Sequence, residues 1–171
     1  MPRPRPRPPI EATLRFCAGQ ASALGDSPDH WRWLSIGLVM ALQESCVIAL
    51  SGYETASPQD ILKPGDNSIA PLKTLLRRVR SEQYLLPPEK LTASESTVKQ
   101  ALALQAARNQ FSHLVPGETP PDFAKLPDYC RAVLHLVEHM LVTAPSFADQ
   151  DLSDLAAREL RKIRDTLPEA I

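Results

Sequence analysis

The sequence predicts an all-α fold, a bundle of five to six helices. Three observations carry that expectation. Seventeen prolines divide the 171 residues into proline-free stretches of helical length. Only six glycines and 5% aromatic residues leave little material for the tight turns of a β-sandwich or barrel. Finally, no remaining stretch alternates apolar and polar residues with the period of two that a half-buried strand needs. The stretches 10–27, 29–57, 72–86, 89–115, 128–144 and 146–167 are therefore the helix candidates.

A hydrophobic content of 43% over this length suits one folded domain with a substantial core. The expected organisation is a disordered tail over 1–9 and a single helical domain over 10–171. The tail, MPRPRPRPPI, reads as a basic polyproline-II segment with no core to join. A solvated leader accounts for it, and a weak anion-binding arm through Arg3, Arg5 and Arg7 is the functional alternative. The second helix opens at Ser27-Pro28, a capping serine followed by proline at the first helical position. It continues apolar almost all the way round, as befits the centre of a bundle. Its mid-helix charge, Glu44, predicts either an edge position with a basic partner or a polar cleft.

Residues 57–68 hold proline, glycine, Asp and Asn and read as a loop. The next helix carries Arg77, Arg78 and Arg80 near its end, where the helix dipole favours cations; a phosphate-binding face is the alternative reading. Thr92-Ala-Ser-Glu95 has the spacing of a capping box and starts the helix that leads to Arg108. Leu126-Pro127 opens the following helix, whose positions Val133, Leu136, Val137, Met140 and Leu141 recur at helical spacing. The C-terminal helix, over 151–167, is amphipathic, with Leu152, Leu155, Leu160, Ile163 and Leu167 on one face.

Some function classes are disfavoured at this level. A formal net charge of −1 gives no global attraction to nucleic acid or membrane, so any such binding needs a local patch. The most apolar run, 34–50, is broken by Gln43, Glu44 and Ser45 and reads as too short to span a bilayer. The N-terminus has no apolar signal-peptide core. Cys17, Cys46 and Cys130 are odd in number and sit in apolar contexts, which suggests buried thiols in a reducing cytoplasm. His135-Leu-Val-Glu138-His139 matches a zinc pattern literally, but no third ligand follows it downstream. No metal or other cofactor is expected.

The remaining polar cluster is Arg108-Asn109-Gln-Phe-Ser-His113, at the end of an alanine-rich helix. Val115-Pro116-Gly117 stops that helix directly after the histidine. Arginine and histidine five positions apart stand about 140° from each other on an ideal helix. A histidine in or past the last turn is nevertheless free to swing toward the same cleft. Histidine titrates near neutral pH and can take a proton from a ribose 2′-hydroxyl. Arginine offers a fork of donors to phosphate oxygens and to charge growing in the transition state. Asn109 could orient either group.

This R-N-x-x-x-H cluster, late in a helix of an all-α chain, resembles the signature motif of HEPN domains. The resemblance spans roughly 29–144 and implies an up-and-down helical core over those residues. It also implies a two-fold dimer whose paired motifs share a cleft, and metal-independent endoribonuclease activity in toxin–antitoxin, phage-defence or RNA-processing systems. An antitoxin or other partner protein would then be expected. Carried onto this chain, Arg108 and His113 are catalytic, with Asn109 beside them. Beside that carry-over, Arg77, Arg78 and Arg80 are candidate phosphate contacts, and Glu44 is a candidate cleft residue. The rival expectation is a non-catalytic helical interaction or dimerisation module.

Overall fold

The long apolar helix predicted for the centre of the bundle is α2, Asp29–Gly52, and it packs against helices on several sides. The computed structural model describes residues 8–113, 116–144 and 147–169. The tail arginines Arg3, Arg5 and Arg7 lie outside the described residues, as does Val115. Around α2 are α1 (Ile10–Ser22), α3 (Leu72–Val79), α4 (Glu95–Ser112) and α5 (Leu126–Glu138), while α6 (Gln150–Thr166) lies against α1 and α5. Among the described residues there is no strand, only an isolated antiparallel bridge between Leu62 and Ile69.

The apolar periodicities meet in one core. Leu34, Leu38, Leu42, Cys46 and Leu50 of α2 are buried together with Leu75 and Leu76 of α3 and Leu104 of α4. The predicted faces of α5 and α6 are buried as well, from Val133 through Leu141 and from Leu152 through Leu167. Ile10, Leu14 and Cys17 of α1 also belong to this core, so it is wider than the 29–144 span. Where α1 crosses α2 the helices approach closely. A methyl group added at Gly37 would stand 2.7 Å from the Cys17 sulfur and 3.0 Å from Cδ1 of Phe16.

Helix ends depart from the proline boundaries for local reasons. α1 stops at Ser22, whose hydroxyl donates to the Gly19 carbonyl, and 23–26 form turns. α2 stops at Gly52 because Tyr53 turns extended, and Ser57 then caps a one-turn 3₁₀ helix at Pro58–Ile61. α3 is shorter than expected, ending at Val79. The Leu91 N–H takes the Val79 carbonyl at 2.9 Å, and the intervening turns bury Leu85. Ser94, not Thr92, is the cap of α4: its hydroxyl accepts the Thr97 N–H at 3.0 Å. α5 does open at Leu126 with Pro127 in its first turn. It widens into a π-turn over His139–Thr143, closed by Ala144 N–H to the His139 carbonyl at 2.8 Å. Asp149 caps α6 by accepting the Leu152 N–H at 2.8 Å.

α2 also corrects an expectation about membranes. It runs unbroken through Gln43, Glu44 and Ser45 for 24 residues, and its mean hydropathy of 1.7 would suffice for a span. Within this fold, 72% of that apolar window is buried against other helices.

Candidate functional site

His113 is the first residue past α4. Its backbone is extended (φ −115°, ψ 90°), and its N–H donates to the Asn109 carbonyl at 2.9 Å, closing the last turn. The imidazole is exposed. Gly117, with φ at +92°, adopts the left-handed conformation that glycine allows most readily, and the chain turns back there. The returning segment is held by the Phe123 ring, edge-on to Phe111 at 5.8 Å between centroids. A long hydrogen bond of 3.4 Å from Gln110 Nε2 to the Thr119 carbonyl adds to this.

Between the end of α4, the returning segment and the start of α2 lies a cavity of about 310 Å³. His113 lines it, and so do Arg32 and Asp29 of α2 and Glu118 of the returning segment. The Arg32 Nε is buried without a hydrogen-bond partner, and its guanidinium carbon sits 5.1 Å from the centroid of the Trp33 ring. Arg108 does not line this cavity. It follows Leu104 by one turn, half-buried, and its Nε is likewise buried with no partner. Asn109 is exposed and, like Arg108, does not line the cavity. His113 and Arg32 thus line one cavity, and Arg108 is not part of its lining.

Of the three arginines proposed as phosphate contacts, Arg78 must be reassigned. It is 6% exposed and donates from Nη1 to the carbonyls of Asp60 at 2.7 Å and Leu62 at 3.0 Å. Its guanidinium carbon also lies 5.7 Å from the centroid of the Tyr84 ring. Arg78 therefore pins the 57–71 loop to α3 and is not available to a ligand. Arg80 forms an ion pair with Glu95, and the hydrogen bond and charge of Arg80 hold that carboxyl below its ordinary range. Only Arg77 is exposed, on the rim of two shallow depressions that it shares with Arg80.

Glu44 faces α1, not the cavity at His113. Burial raises its carboxyl above the ordinary value, and a hydrogen bond with Thr13 only partly opposes the shift. Its Oε2 is buried and has no partner. On the same side, burial and then the nearby Glu44 charge push the Cys17 thiol up to about 12. Burial raises Cys46 and Cys130 as well, so the three thiols are unreactive core groups. In the zinc-like run, Glu138 accepts Arg164 at 3.0 Å and His135 is exposed. Among the described residues no three His, Cys, Asp or Glu side chains cluster as metal ligands would.

Arg32 is the principal site residue that sequence reasoning passed over. A signal was present in Trp31-Arg32-Trp33, a cation set within an otherwise apolar run. The contributions of Asp29, Glu118 and Phe123 depend on the return of the chain after Gly117 and have no comparable local signature. Comparison with family models, curated proteins and solved structures found no match to this chain.

Proposed function

We propose that this protein is a metal-independent endoribonuclease of the HEPN type. The observation that carries the reading is an exposed imidazole at a helix terminus, on a cavity that also holds an arginine with an unpartnered buried Nε. Neutral His113 takes the proton of a ribose 2′-hydroxyl, and the 2′ oxygen bonds to the adjacent phosphorus. The bond from phosphorus to the 5′ oxygen breaks, and the imidazolium returns the proton to that oxygen. The products are a 2′,3′-cyclic phosphate and a free 5′-hydroxyl. Arg32 supplies donors to the phosphate oxygens, and Arg108, five residues before the histidine and outside the cavity lining, adds its positive charge to the site. The functional unit is a homodimer, supported by the exposed apolar side chains Phe16, Trp33 and Met40 along α1 and α2.

A second reading, a non-catalytic helical interaction module, is favoured by the separation of Arg108 from the cavity that His113 lines. One assay separates the two: cleavage of total RNA in EDTA by the wild-type chain, His113→Ala and Arg108→Ala. The nuclease predicts cleavage that survives chelation and falls by about 10²-fold or more in His113→Ala. Equal inertness of all three folded proteins supports the module, and equal activity of all three removes His113 from the chemistry.

A further inference from the structure

The cavity beside His113 is poorly suited to a phosphate alone. Two of its lining side chains, Asp29 and Glu118, are carboxylates, both exposed and neither in an ion pair among the described residues. They would repel an anion placed between them. Its apolar wall consists of Phe111, Phe123 and the adjacent prolines Pro120 and Pro121. Phe123 is 42% exposed although its ring is edge-on to Phe111, so aromatic surface remains open to a planar ligand. A volume of about 310 Å³ falls at the small end of ligand pockets, in keeping with one ring system. Flat apolar surface, carboxylate acceptors and one arginine together form a seat for a nucleobase, with the backbone phosphate left at the rim.

We propose that this cavity binds one unstacked base of single-stranded RNA and selects bases that carry an exocyclic amine, adenine, cytosine or guanine, over uracil. The base lies against Phe123, and its amine donates to Asp29 or Glu118. The Arg32 fork and His113 then meet the flanking phosphate. Uracil has no amine, and its single ring N–H on the pairing edge is flanked by two carbonyl oxygens, which a carboxylate repels. The inference rests on the proposal that RNA is the ligand of this site. It goes further by naming the bases preferred and the side chains that read them.

The test measures binding of the full chain to short fluorescein-labelled oligo(A), oligo(C) and oligo(U). The oligonucleotides carry 2′-O-methyl sugars, so that no cleavage through the 2′-hydroxyl occurs. Oligo(A) and oligo(C) are expected to bind at least about fivefold more tightly than oligo(U). The paired change Asp29→Asn with Glu118→Gln, two conservative replacements of exposed groups, should abolish that preference. Phe123→Ala should weaken all three by about tenfold. Base preference in the binding assay without any cleavage of ordinary RNA upholds the base site and removes the nuclease reading. Cleavage that depends on His113 but ignores base identity and the carboxamide pair overturns the base site and leaves the nuclease intact. Binding to none of the three, or tighter binding of oligo(U), also overturns the inference.

Discussion

The ends of α3 and α4 both carry arginine, but the two are used differently. At the end of α3, Arg78 is buried and donates from Nη1 to two loop carbonyls, although its Nε too lacks a partner, while Arg80 is paired with Glu95. At the end of α4, Arg108 has a buried Nε with no partner, and Asn109 and His113 face solvent. Buried polar groups in folded proteins are nearly always satisfied, so the first arrangement serves the structure. In the second, the Arg108 side chain makes no hydrogen bond at all among the described residues, as a group reserved for a ligand would. A cation near a helix end is therefore informative only once its partners are known.

The largest test of this contrast is Arg78→Met. It strips two carbonyls of a charged donor and should cost about 3 kcal/mol in urea unfolding, given the usual value of such bonds. A loss near zero would mean that the loop is held by something else. Next in size is the start of α4, which is capped by a side chain. Ser94→Ala should cost about 1 kcal/mol, measured in the same way.

Glu44 offers a pH-dependent version of the same idea. Its folded-state value is raised by burial above the ordinary 4.5, so below that pH the group is protonated in both states and costs nothing. As pH rises through the folded value, the native protein must carry a poorly solvated charge and loses stability. Glu44→Gln should therefore raise the melting temperature at pH 7.5 and leave it unchanged below pH 4. An equal effect at both would remove burial of the charge as the cause. The smallest expected effect is that of Arg108→Met, under about 1 kcal/mol in either direction, since the unpartnered Nε is lost along with the charge. A larger destabilisation would reveal that Arg108 supports the fold as Arg78 does.

Much of the fold was legible because proline and helical spacing act locally. The buried faces of α5 and α6, and the central place of α2, follow from the positions of Val133, Leu136, Leu152, Leu160 and their neighbours. The ends were less legible, because tertiary packing sets them. Nothing near Val79 announces that Leu91 will bond to its carbonyl, or that Ser94 will serve as the cap in place of Thr92. The site was half legible. His113 stands out beside a proline-glycine stop, whereas Arg32 joins it only because the start of α2 and the end of α4 line one cavity with the chain that returns after Gly117. Arg77, Arg78 and Arg80 look alike in sequence, and only the loop carbonyls at Asp60 and Leu62 separate the inward-facing one from the others.

The burial of α2 also bears on how the chain is made. Synthesis releases this helix before α3, α4 and α5, most of its eventual cover, exist. During that interval its length and hydropathy are those of a bilayer-spanning segment. Of the helices that pack on α2, only α1 precedes it, and the two approach closely enough at Gly37 to leave no room for a methyl group. The first helix is thus the one native partner available to cover this apolar stretch before the later helices arrive.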